Sequence, residues 1–355
     1  MRLVKRFRDI ARDAFRLSSA LILSLSVHAS AEDHQATVGH VQTLMEQNEV
    51  VWPIPGVRQP ENKTPDAMPV LDEALRADDP KTRLRALEGL AQSLSDENTD
   101  GFVAALADPS PDVAGFAART LLEIDSDILF EKIIAFVSEA DDAHLQAMAS
   151  ALPVLRDPLE KRMLSTLENQ EETPKRRMAA AFCLGRMGCV AAAHPLAEVA
   201  WSDNLELSLT CLYALASLPE PAVVYYLFTL ASHPTAEVRV EALRALTTIS
   251  GPEAINAIGR VAIERPAKDI ALSKQAVAIL ANMPDLKTTI PLLIETMRRN
   301  LPVRADAGAA LRRVTGQRFG NFPTDWTDWW NQAKELLDAP PPTQEQAIEI
   351  AVGCF

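Results

Sequence analysis

A small residue followed four positions later by a leucine recurs eight times along this chain. No other feature constrains its fold as strongly. The leucines are Leu90, Leu121, Leu152, Leu184, Leu215, Leu246, Leu280 and Leu311, spaced by 31, 31, 32, 31, 31, 34 and 31. Four residues before them stand Ala86, Ala117, Met148, Ala180, Cys211, Ala242, Ala276 and Ala307. Residues four apart share one helix face, so each step predicts a helix, termed B. The stretches "SDILFEKIIAFVSE", "AVVYYLFTLASH", "PEAINAIGRVAIE" and "TTIPLLIETMRR" between the steps are apolar at helical spacing and predict a second set, termed A. No single pair of helices buries its own apolar stripe, whereas stacked pairs bury a continuous one. The expected fold is all-α: an α-solenoid of about eight helix pairs of ~31 residues, over 66–316. Few glycines (13) and abundant Ala, Leu and Glu agree with helices.

The pairs "HPTAEVRVEALRAL" and "LPVRADAGAALRRV" resemble the HEAT-like repeats of phycobilisome-lyase-type proteins. The resemblance implies B helices along a concave face and an arginine near the start of each B helix. Arg83, Arg177, Arg239 and Arg304 fit that place, and Ala114, Leu145, Ser208 and Ser273 depart from it. The expected role of these arginines is a bond to a neighbouring inter-helix carbonyl or carboxylate. Such repeats carry lyases, scaffolds and adaptors alike, so the resemblance says little about function.

The termini read differently. Arg2, Lys5, Arg6, Arg8, Arg12 and Arg16 precede the apolar run Leu17–Val27, and Ala29 and Ala31 follow in an A-x-A arrangement. This order predicts a secretory signal peptide over 1–31, cleaved after Ala31, and hence a periplasmic or secreted protein. The run is too short to span a membrane, which takes ~20 residues. Residues 32–65 are expected to form an irregular arm, and 339–355 a Pro-rich tail. The net charge is −13, and the leader contributes six basic and two acidic groups, leaving −17 on the body. So acidic a body repels phosphate backbones, and nucleic acid is not an expected partner.

No sequence template for chemistry fits. HExxH, Walker A, GxSxG and GxGxxG motifs are absent, as is the His-Glu dipeptide expected of HEAT-fold metal hydroxylases. His144, His194 and His233 are read as scattered, with no carboxylate at i+4. "DENTDG" from Asp96 matches the start of a calcium loop, but its twelfth position is Ala107 where glutamate is needed. A helix start around Asn98, Thr99 or Asp100 is the competing reading. Cys183 and Cys211, on consecutive B helices, either pair as a disulfide or fill alanine-sized gaps as thiols. No catalytic residue, metal site or cofactor is expected.

The leading expectation is a non-enzymatic scaffold that binds another protein. An enzyme on the same fold and a carbohydrate or small-ligand binder are the alternatives. On the helical wheel, positions two before and two after the small residue lie opposite the leucine. Met178 with Phe182, Leu209 with Tyr213, and Arg244 occupy such positions and form the candidate partner-binding patch. Packing between neighbouring helices is the competing reading for these residues.

Finally, "TGQRFGNFPTDWTDWW" crowds Trp326, Trp329 and Trp330 into five residues. Gly316 is expected to close the last B helix, and Thr324 to cap a helix carrying the tryptophans. The segment 317–338 is read as a cap on the exposed end of the solenoid. The three tryptophans as a ligand cage are the alternative.

Overall fold

The structure, a computed structural model, describes residues 74–338 apart from 93, 97, 220 and 265–268. The leader, the arm and the tail lie outside the described residues. The chain divides between Arg162 and Met163 into two units. The first contains α1 (Pro80–Ala91), α2 (Thr99–Ala105), α3 (Pro111–Leu121), α4 (Ser126–Glu139), α5 (Asp142–Met148) and a 3-10 turn, Leu152–Leu155. Helix α6 (Arg156–Glu168) follows. The second contains α7 (Pro174–Arg186), α8 (Ala193–Val199), α9 (Leu205–Ala216), α10 (Ala222–Leu230), α11 (Ala236–Leu246), α12 (Pro252–Glu264), α13 (Ile270–Leu280), α14 (Leu286–Arg299), α15 (Arg304–Thr315) and α16 (Pro323–Asp338). No strand occurs among the described residues. The fold is all-α, of the α-solenoid class.

The layers follow the repeat. In the second unit α7, α9, α11, α13 and α15 each pack on the next and form the B layer. Helices α8, α10, α12, α14 and α16 do the same and form the A layer. Each A helix from α8 to α14 also packs on the B helix after it. In the first unit α1 packs on α3, and α2 on α3 and α4. All eight leucines of the recurring step, and all eight residues four before them, are at most 2% exposed. The step is therefore the seam where the layers meet.

Local chemistry starts six of the eight B helices. Asp79, Asp141, Thr173, Asn204 and Asp269 stand just before α1, α5, α7, α9 and α13, and each side chain accepts a hydrogen bond from a first-turn amide. Pro80, Pro111 and Pro174 occupy the first turn, where a missing N–H costs nothing. One B helix departs from expectation. The helix predicted through Met148 and Leu152 stops at Met148, and Leu152 begins a 3-10 turn. Pro153 disfavours helical backbone at the residue before it and cannot donate a helical hydrogen bond.

The four arginines tie elements together. Arg83 reaches both carboxylate oxygens of Asp108 at 2.6 and 2.8 Å, and donates to the carbonyls of Ala77 and Asp78. Arg239 likewise holds Asp269, reaching its Oδ2 from two guanidinium nitrogens, and donates to the carbonyls of His233 and Pro234. Arg177 donates to Leu167 O and Arg304 to Met297 O. Among the departures, Ser208 Oγ bonds Ser202 O at 2.7 Å, six residues back like the bond from Arg239 to His233. Ala114 and Leu145 are simply buried.

One contact in the B layer is unusually close. A Cβ added to Gly185 on α7 would lie 2.7 Å from Ala214 Cα on α9. Ser217 Oγ lies across the same contact, 2.7 Å from Ala214 O and 3.1 Å from Gly185 O.

The last B helix, α15, ends at Gly316, whose φ of 73° is the left-handed conformation that glycine adopts without strain. Helix α16 starts at Pro323, so Thr324 lies inside its first turn and does not cap it. It packs on α14 in the place of a further A helix.

Candidate functional site

The candidate patch on the B helices needs correction. Met178, Phe182 and Leu209 are 4, 5 and 3% exposed, and Tyr213 is half-buried. Met178, Ala181, Phe182 and Gly185 follow an i, i+3, i+4, i+7 stripe. Thr210, Tyr213, Ala214 and Ser217 follow the same stripe on α9. The Gly185–Ala214 approach brings these two stripes together, so most of the expected docking face is the packing face between neighbouring B helices. The guanidinium of Arg186 also lies over the Phe182 ring, 5.6 Å from its centroid. Arg244 is exposed, and its guanidinium pairs with Glu241 on its own helix at 3.0 Å.

The tryptophans separate in the same way. Trp326 is fully buried. Its Nε1–H donates to Gly320 O at 2.8 Å, and its ring meets Phe319 edge-on at 5.1 Å. Trp329 lies edge-on to Trp326 at 6.1 Å, and Trp329 and Trp330 are half-buried. Arg312 on α15 donates to Phe319 O and Asn321 Oδ1, both at 3.2 Å, which fixes the turn before α16. This is an end-plate built around one buried indole, and the three rings do not form an open cage.

Two further candidates resolve. The stretch from Asp96 to Gly101 runs into α2, where Asp100 pairs with Lys132 at 2.8 Å. Asn98 Oδ1 accepts from Ser95 N–H, and the segment is a helix start. No group of three or more metal-ligating side chains occurs among the described residues. Cys183 and Cys211 are free and fully buried, and burial pushes both thiols well above the ordinary cysteine value.

The exposed chemistry sits on the A layer, on α8 and α10. His194 on α8 pairs with Tyr226 on α10, ring centroids 6.2 Å apart. Trp201, just after α8, pairs with His233, just after α10, at 5.1 Å. These are two rungs of one ladder. Both rungs are 32 residues wide, and seven residues of sequence separate them, the second rung lying just past the helix ends. Tyr225 extends the first rung, 5.7 Å from Tyr226. Tyr225 is 64% and Trp201 45% exposed, and in the flanking sequence Val190 and Leu205 are 46% and 37% exposed.

Glu198 lies between the rungs, four residues after His194 and three before Trp201. Its carboxylate approaches His194 Nε2 at 3.3 Å. The expectation that no histidine has a carboxylate at i+4 was therefore wrong for His194, and Glu237 also stands four residues after His233, which lies outside the helix. The His233 ring is only 2% exposed. Its Nδ1 accepts from Thr235 N–H at 3.0 Å, so the ring hydrogen sits on Nε2, which has no hydrogen-bond partner among the described residues. Burial, with the Arg239 charge, holds its pKa below the ordinary histidine value, against the Thr235 hydrogen bond and Asp203, which act the other way.

A signal for this surface was present in the sequence. From Met187 to Val238 there is no lysine or arginine, but there are Glu198, Asp203, Glu206, Glu220 and Glu237. The same interval holds all three tyrosines of the chain. The wheel argument looked only at B helices and so passed over it.

Residues 176–200, which cover most of α7 and all of α8, match the family described as PBS lyase HEAT-like repeat. Among solved structures, the complex of CpcE and CpcF of phycocyanin lyase from Nostoc sp. PCC7120 is 19% identical, with a TM-score of 0.27, covering 69% of this chain and 98% of that one. The YibA protein of E. coli is 13% identical, with a TM-score of 0.31 and coverages of 83% and 100%. Human deoxyhypusine hydroxylase in complex with glycerol is 17% identical, with a TM-score of 0.23 and coverages of 75% and 98%. No curated protein matches the chain.

Proposed function

We propose that this HEAT-like repeat protein is an exported, non-enzymatic scaffold that binds another protein through the α8–α10 side of its A layer. The observation that carries the reading is the pair of exposed aromatic side chains there, Trp201 and Tyr225, with exposed Val190 before α8 and Leu205 at the start of α9 in the same stretch of two repeats. Exposed apolar surface with aromatic side chains is characteristic of interaction sites. The helices beneath are held by the buried leucine seam and, one layer away, by the Arg177 and Arg239 bonds. A rigid support of this kind lowers the ordering cost of binding.

The test is a photo-crosslinking amino acid placed at Tyr225, with Glu123 in the other unit as the control position. A discrete adduct from position 225 that Trp201→Leu abolishes supports the reading. Equal labelling from both positions overturns it. Export is tested separately. The chain recovered from the periplasm or medium should begin at Glu32, and a chain retained in the cytoplasm with its leader intact would refute that part.

A further inference from the structure

We infer that the α8–α10 ladder recognises a cationic segment, an extended arginine- or lysine-bearing stretch of a partner protein. This rests on the protein-binding reading above and names the chemistry of the partner.

Three observations carry it. First, aromatic faces attract cations through their ring quadrupole, and Trp201, Tyr225 and Tyr226 offer such faces at the surface. Second, carboxylates are interleaved with the rings. Glu198 sits between the rungs and is 66% exposed, and Asp203 follows Trp201 closely enough to act on His233. No lysine or arginine lies between 187 and 238, and Arg239, which also acts on His233, is already paired with Asp269. On the neighbouring α12, Arg260 lies 4.1 Å from the centroid of Phe228 and pairs with Glu264, so its charge is already matched. That contact is an internal example of the geometry proposed for the ligand. Third, the Trp201 ring rests on the buried His233 ring, centroids 5.1 Å apart, so the surface aromatic is held in place before any ligand arrives.

The experiment titrates the full chain with acetyl-(Gly-Arg)4-amide, with the equivalent Gly-Gln peptide as the uncharged probe, by isothermal calorimetry. Saturable binding of the arginine peptide alone is expected. Trp201→Leu and Tyr225→Leu leave the net charge unchanged and should each weaken it about tenfold, the order of one cation–π contact. Glu198→Gln should weaken it comparably, whereas Glu123→Gln, an equal loss of charge in the other unit, should not. Thermal melting checks that each variant is folded.

Three results would overturn the proposal. One is equal losses from Glu198→Gln and Glu123→Gln, which would mean attraction by net charge alone. Another is indifference to both aromatic substitutions. The third is failure of the arginine peptide to bind while the crosslink from position 225 persists, which removes the cationic partner and leaves the protein-binding reading standing.

Discussion

Single residues decide where this array is tight. Gly185 has no room for a side chain, because its missing Cβ would sit 2.7 Å from backbone and 2.9 Å from Ser217 Oγ. Gly185→Ala gains up to ~1 kcal/mol of helix propensity, but it forces α7 from α9 at a cost of about 1–3 kcal/mol. The expected outcome is a lower Tm, read by circular dichroism, whereas Gly115→Ala, which meets only an arginine tip at 3.5 Å, should raise it slightly. Asp269 carries a pH signature. Burial disfavours its ionised form, but the Leu272 N–H and Arg239 outweigh that and hold its carboxyl below the ordinary aspartate value. A carboxyl depressed in the fold stabilises above its unfolded pKa of ~4, and that contribution is lost as pH falls through the folded value. Asp269→Asn should therefore be less stable than wild type at neutral pH. Its stability should also fall less steeply below pH ~4, as measured by denaturant unfolding across that range.

At the scale of elements, α16 shows what the repeat could and could not foretell. Gly316 and the tryptophan helix were both legible, since one needs a left-handed turn and the other follows an apolar period. The start of the helix was not, because Pro323 suits the first position better than Thr324 suits the cap. Nor did spacing alone show which indole is structural. Trp326 and Trp330 share a face by count, yet Trp326 is fully buried and Trp330 is not. Trp326→Ala should cost about 3–5 kcal/mol, and Trp330→Ala well under half of that, with both measured by denaturant midpoint. Deleting 317–355 strips α16 from α14, so the truncated chain is expected to aggregate. A soluble, cooperatively melting truncation would show that α14 needs no cover.

Across the whole molecule, the register of the repeat was readable because a buried leucine tolerates little else, and it named the core seam in every repeat. The exposed surface was not readable from the same register. A B helix has neighbours on both sides and the A layer behind it, so Phe182 and Leu209, placed outward by a wheel drawn for one helix, belong to packing between helices. Trp201 and His233 lie just past the ends of their helices, where no periodic argument reaches. A serial array also distributes its stability in a characteristic way, as a sum of repeat and nearest-neighbour terms. Weakening one end should therefore loosen the nearest pairs first. Hydrogen exchange by mass spectrometry should show Trp326→Ala raising exchange in α14 and α15 strongly, in α12 and α13 less, and in α7 hardly at all. Uniform acceleration along the second unit would instead mean that α7 to α16 unfold as one cooperative body, with Trp326 stabilising every layer contact at once.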